Sequence, residues 1–200
     1  GGMRKFFDLL FPLLFGLALI AAWEWIVVAR HIPPYILPAP SAIALAFRDN
    51  AATLLAALGN TLRITAEGFA GAALAAVALA VLFSQSRLVE RTLYPYAVIL
   101  QVTPVVAVAP LILIWVGFEH IDRALALIAG LIAFFPILSS TVLGLRSADH
   151  GLLDLMRLYG ASRLQTLVRI QLPSALPSLL TGLKIGGVIA LIGEVTAEFA

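Results

Sequence analysis

Charged and hydroxyl side chains are scarce in this sequence, so the few that fall inside apolar stretches are the candidates for chemistry. Lys184, Glu194 and Glu198 lie in a C-terminal run of leucine, isoleucine, glycine and alanine. At about 100° per helical residue the three share one arc with Gly187 and Leu191. Charges at bilayer depth normally face a bundle interior, a cavity or one another, which makes these residues candidates for lining a transport path. The structural alternative is that Lys184 snorkels to an interface and both glutamates sit at an outer mouth. Ser139 and Ser140 occupy another apolar run, but no histidine shares it to serve as a base. Their hydroxyls, like those of Thr103 and Thr141, suit the repair of carbonyls that Pro104, Pro110 and Pro136 leave free. His31, His120 and His150 are far apart and fall in loops, and there is no cysteine, so no metal site is expected. The phosphate-binding pattern G-x-x-x-x-G-K-S/T does not occur either, so the chain is expected to carry no cofactor and no ATP site of its own.

The elements that position these residues follow from composition. Of 200 residues 62% are hydrophobic and 12% charged, and the mean hydropathy is +1.03, whereas soluble domains are roughly half apolar and about a quarter charged. Such a chain cannot cover itself with polar surface in water; a bilayer is the solvent that fits it. The net charge of +2 comes from 13 scattered basic residues with no block or stripe, so nucleic acid is not an expected partner.

Apolar periodicity predicts an all-α bundle with five spans at about 7–28, 63–83, 94–116, 121–144 and 174–200. The first is read as a span rather than a signal peptide cleaved near Ala21-Ala22, because Asp8 and Pro12 interrupt it and apolar residues run on beyond the small pair. With the N-terminus cytoplasmic, that side would hold Arg4, Lys5, Arg87, Arg91, Arg146, Arg157, Arg163 and Arg169. The other side would hold Arg30, Arg48, Arg63 and Arg123, and this bias favours the N-inside orientation. Residues 29–62 then form an outer loop: prolines from 33 to 40 enforce an extended connection, and Ser41 caps a surface helix over 42–57. Glu24 reads as solvated between Trp23 and Trp25, and Arg63 with Glu67 as a local i,i+4 ion pair. The whole of 1–200 reads as one transmembrane domain.

The longest polar insertion is 145–173, on the predicted cytoplasmic side. Asp149 can cap a short helix that ends at Gly160, and Ser162 with Gln165 forms a capping box for a second helix stopped by Pro173. On the first, Leu152, Leu155, Met156 and Tyr159 recur at i, i+3, i+4 and i+7, an apolar stripe outside the spans that needs either a partner or the protein's own loops against it.

This segment resembles the cytoplasmic signature of bacterial binding-protein-dependent ABC importer permeases: E-A-A, three residues, Gly, nine residues, Ile-x-Leu-Pro. Gly160, Ile170, Leu172 and Pro173 match at that spacing with Asp154 at the glutamate position, and the departure is Leu155-Met156 in place of two alanines. The runs Leu37-Pro-Ala-Pro-Ser-Ala-Ile43 and Pro104-Val-Val-Ala-Val-Ala-Pro-Leu-Ile-Leu-Ile-Trp-Val-Gly117 are similar to those of the branch importing nitrate, taurine, other sulfonates or pyrimidine precursors of thiamine. The resemblance implies a type I importer permease fold that is short of a sixth helix. It also implies location in the inner membrane and no enzymatic activity of the chain itself. The implied partners are membrane lipid, a second permease subunit forming a homodimer, an extracytoplasmic solute-binding protein, and separate ABC ATPase subunits that bind the ATP. In such permeases this segment is the coupling helix that docks the ATPase. Two rivals stay open on the residues alone: a secondary transporter driven by an ion gradient, which would want an internal repeat, and an intramembrane enzyme.

Overall fold

The computed structural model describes residues 2–199, with residues 2–9 and Val106 described by backbone alone. Among the described residues there is no strand. The helices are α1 (Gly2–Ala29), α2 (Pro40–Asp49), α3 (Ala51–Gln85), α4 (Arg87–Val102), α5 (Val105–Val116), α6 (Ile121–Arg146), α7 (His150–Leu158), α8 (Arg163–Thr166) and α9 (Leu172–Glu198). Two compact units are distinguished, Gly1–Leu58 and Gly59–Ala200, and α3 runs through the junction between them.

In the first unit the Glu24 side chain joins α1 to α2. The Glu24 carboxylate accepts from the Ser41 backbone N–H at 3.0 Å and from Ser41 Oγ at 2.7 Å. Glu24 is therefore a helix cap supplied from a distant turn rather than a merely solvated charge. Ser41 lies inside the first turn of α2, and the N-cap position belongs to Ala39, which makes no side-chain cap. One orphan N–H, that of Ser41, and the positive end of α2 are met by the carboxylate instead.

In the second unit α6 is the central helix. Ile128, Ile137, Leu138 and Leu145 are fully buried along its length. It is flanked by α9, whose buried positions Gly182, Gly186, Ala190 and Gly193 recur every three or four residues. At Gly182 a Cβ atom would stand 2.6 Å from Ser140 Cβ, so only glycine permits this approach. Gly68 of α3 meets the Ala126 carbonyl of α6 in the same way. Small residues at helix contacts are what apolar solvent favours, because lipid gives no hydrophobic drive and van der Waals contact must be gained by close approach. At one end Arg63 joins α3 to α6 through Asp122 at 2.7 Å, while Glu67, its expected partner, lies at 4.0 Å. At the other end Arg146 of α6 pairs with Glu90 of α4.

The elements depart from the sequence reading in three places. The surface helix stops at Asp49, and α3 begins at Ala51 and runs unbroken for 35 residues. Residues 51–58 are mostly alanine and leucine, the strongest helix formers, so the helix starts well ahead of the predicted span. The third predicted span is two helices: α4 and residues Ala107–Val116 of α5 meet at 108°. Thr103, placed before Pro104, is driven to ψ 122° and out of the helical region. Among the described residues four helices are long and apolar enough to span a membrane, and five spans result when the bent pair is taken as one. Finally, Pro173 does not stop the helix before it. A π-helical turn over Leu167–Gln171 shifts the bonding so that the Leu172 N–H reaches Leu167 O, and the proline, which has no N–H, enters the first turn of α9 without a lost bond at that step.

Candidate functional site

Each stop and start of the segment between α6 and α9 has its own local bond. Asp149 caps α7, its side chain accepting from the Leu152 N–H at 3.0 Å. At the other end Gly160 has φ +67°. The Gly160 N–H reaches Arg157 O at 3.0 Å and the Ala161 N–H reaches Met156 O at 2.9 Å, the paired bonds of a Schellman cap. Two residues on, Ser162 and Gln165 form the expected capping box, at 3.2 Å and 2.8 Å. Arg163 then donates to Gln85 O at 3.1 Å, which ties α8 to the C-terminal carbonyls of α3. Leu167 is buried in the main core cluster and anchors the return to α9. The predicted helix, tight break and second helix are all present, with α8 continuing through the π turn.

The apolar face of α7 is divided. Leu152 and Leu155 are each 46% exposed, Leu158 is 86% and Tyr159 81% exposed. Met156 is half-buried and Leu153 is turned inward against a cavity, so the outward face is Leu152, Leu155, Leu158 and Tyr159 rather than the stripe through Met156. The sequence pattern does not single out Leu158, although it stands three residues after Leu155 and that spacing is the signal that could have found it. Asp154 pairs with Arg157 of its own helix at 2.9 Å, both side chains largely exposed, a contact of little energetic weight. Ile170 and Leu172 are half-buried around the π turn and Pro173 is exposed.

The three span charges are not brought together as one cluster. Lys184 is exposed on the face of α9 turned away from α6. Glu194 is fully buried, and neither carboxylate oxygen has a hydrogen-bond partner among the described residues. Glu198 is exposed and accepts from Thr61 Oγ1 of α3 at 3.5 Å. The hydroxyls of Ser139, Thr141 and Thr103 donate to carbonyls one turn back, at 3.2, 2.6 and 2.7 Å. Among the described residues no group of three or more histidine, aspartate or glutamate side chains gathers to hold a metal.

Residues 68–200 match the family described as binding-protein-dependent transport system inner membrane component. The chain is 35% identical to the formylaminopyrimidine transport permease protein ThiX of Halalkalibacterium halodurans, covering 98% of this chain and 78% of that one. It is 35% identical to the riboflavin transport system permease protein RibX of Chloroflexus aurantiacus, over 90% of this chain and 68% of the relative. To the putative aliphatic sulfonates transport permease protein SsuC of Bacillus subtilis it is 30% identical, over 98% and 71% of the two chains. The first and third of these relatives carry names from the branch to which the sequence pointed, and all three are transport permeases rather than enzymes. Together with the helices long enough to span, they identify this chain as a member of the binding-protein-dependent transport system inner membrane components, a multi-pass membrane subunit of an ABC importer.

Proposed function

We propose that this chain pairs with a second copy of itself to enclose a path for a small organic solute, delivered by an extracytoplasmic binding protein. ATP is bound and hydrolysed by separate ATPase subunits, which dock on α7 and drive the spans between inward-open and outward-open states. The observation that carries this reading is the outward face of α7. It presents three leucines and a tyrosine on a short helix capped at both ends, which holds the face in a fixed orientation. An apolar face displayed so outside the spans suits a groove on a partner protein.

The residues assigned to docking are Leu152, Asp154, Leu155, Met156, Tyr159 and Gly160, with Ile170, Leu172 and Pro173 forming the return into α9. Lys184, Glu194 and Glu198 are proposed for the path. Of these, Lys184 and Glu198 are exposed in the single chain, where a second copy would meet them or leave them lining a channel. The N-terminus and 145–173 are assigned to the cytoplasmic side, by the bias of arginine and lysine. The relatives are named for a formylaminopyrimidine, riboflavin and aliphatic sulfonates, so the solute is proposed to be a small organic molecule selected chiefly by the binding protein.

The test is site-directed cross-linking in membranes that contain an ABC ATPase subunit with which this chain supports ATP-driven uptake. A cysteine at Leu158 is expected to cross-link to the ATPase, and one at Ser147 to be labelled only after the cytoplasmic side is opened. Labelling of Ser147→Cys from the outside of intact cells would reverse the orientation. Failure of Leu158→Cys to cross-link, with the ATPase present and active, would remove α7 from the interface.

A further inference from the structure

Behind the outward face of α7 lies a cavity of about 670 Å³ with two kinds of wall. Its floor is apolar, made by Phe83 of α3, Tyr94 of α4, and Val142 and Leu145 of α6. Its rim carries Arg87, Arg91 and Arg146, with Glu90 the one carboxylate of the lining and already engaged by Arg146. Arg87 and Arg91 have no ion-pair partner among the described residues. A second cavity of about 720 Å³ shares Ser84, Arg87, Leu153 and Gln171 with the first and adds Arg157 and Arg163. The size is that of a small-molecule site. Apolar floor and cationic rim together fit an amphiphile better than a fully hydrated ion, because the floor offers a small ion no ligand.

We propose that this cavity binds an anionic phospholipid, with its phosphate among Arg87, Arg91 and Arg146 and the start of an acyl chain on the floor. Basic recesses between helices at a membrane interface are suited to such headgroups, through charge-assisted hydrogen bonds from guanidinium to phosphate. The ATPase is the other candidate occupant, and the geometry disfavours it. Leu153 faces the cavity, whereas Leu152, Leu155, Leu158 and Tyr159 face away, so a partner seated on the outer face of α7 leaves the cavity behind it. The inference rests on membrane placement and not on the docking of an ATPase. A lipid bound here would brace α4, α6 and α7 against one another.

The test is native mass spectrometry and thermal melting of the purified chain in detergent. Phosphatidylglycerol, phosphatidylcholine, glycerol phosphate and methanesulfonate are added in turn. Phosphatidylglycerol is expected to be retained and to raise the melting temperature, with phosphatidylcholine retained on the order of tenfold less and the two small anions without effect. The Arg87→Gln, Arg91→Gln double variant is expected to bind phosphatidylglycerol on the order of tenfold more weakly, the double lysine variant to keep most of the binding, and Arg48→Gln to be unchanged. Unaltered melting of the glutamine variant in phosphatidylcholine shows that it is folded. Equal retention of the two lipids, or undiminished phosphatidylglycerol binding by the glutamine variant, would overturn the proposal. So would stabilisation by glycerol phosphate equal to that by the lipid, which would make this a site for soluble anions. Displacement of the lipid by added ATPase would also overturn it and give this face to the ATPase.

Discussion

Along the seam between α6 and α9 the buried positions of α9 include Gly182, Gly186, Ala190 and Gly193, with Glu194 the one large side chain buried beside them, whereas α7 turns Leu152, Leu155, Leu158 and Tyr159 outward. Small residues are hidden in one place and large ones displayed in the other. In a bilayer a large apolar side chain gains nothing by leaving lipid for a helix interface, so contact is best achieved where side chains are small. Outside the bilayer, an exposed leucine face leaves unused a favourable burial of about 25 cal/mol per Å². The seam is complete within one chain. The face of α7 is left uncovered by the chain's own side chains.

The sharpest way to break this contrast is to enlarge a residue in the seam. Gly182→Val is expected to lower stability by about 1–3 kcal/mol or more, because its Cβ atom alone would stand 2.6 Å from Ser140 Cβ. Gly71, where an added Cβ atom would meet nothing within 4 Å, should accept alanine with a change of under about 1 kcal/mol. Thermal melting of both variants in one detergent checks the pair; similar losses would mean that the seam is not closely packed.

Smaller effects are expected within the segment itself. Gly160→Val places a β-branched residue at φ +67° and should cost roughly 1 kcal/mol or more. Uncoupling of transport from ATP hydrolysis, with insertion intact, is the expected readout, and normal coupled transport would show that the end of α7 tolerates rearrangement. Asp149→Ala removes the cap on Leu152 and should destabilise α7 by about 1 kcal/mol, while Asp149→Asn should retain most of it. Protease nicking between α7 and α8 measures that loss. Smallest of all is Asp154→Ala, expected to change stability by under about 1 kcal/mol because its pair with Arg157 is exposed.

The segment is legible from sequence because each of its signals is local. Asp149 to Leu152, Ser162 to Gln165 and the cap around Gly160 are all completed within a few residues. What sequence reading misses is what distance completes. Glu24 caps a helix that begins 16 residues further on, Arg163 reaches back to Gln85, and Glu90 waits for Arg146. The bend at Thr103-Pro104 and the π turn before Pro173 share one lesson about proline. At the first the chain turns through 108°, and at the second an added residue in the helical bonding lets the helix continue. A proline announces a missing bond, but the surrounding packing decides how that gap is absorbed. The arginine-rimmed cavity has no sequence signal, since its lining is drawn from α3, α4, α6 and α7.

Of the apolar side chains on α7, Leu155 stands on the outward face, whereas Met156 is half-buried, so a charge at Leu155 tests docking with the least disturbance of the chain's own packing. Leu155→Glu should leave the melting temperature of the isolated chain within experimental scatter, because its side chain is 46% exposed and can hold the charge in water. Docking would force that charge into an apolar groove unpaired, at a cost of several kcal/mol. The direct measurement is recovery of the ATPase subunit by purified wild-type and Leu155→Glu chains, read beside their melting curves. The account predicts unchanged melting with ATPase recovery reduced on the order of a hundredfold or more. Equal recovery of the ATPase by both chains, or a large drop in the melting temperature of the variant alone, would contradict it and return the leucine face to the protein's own packing.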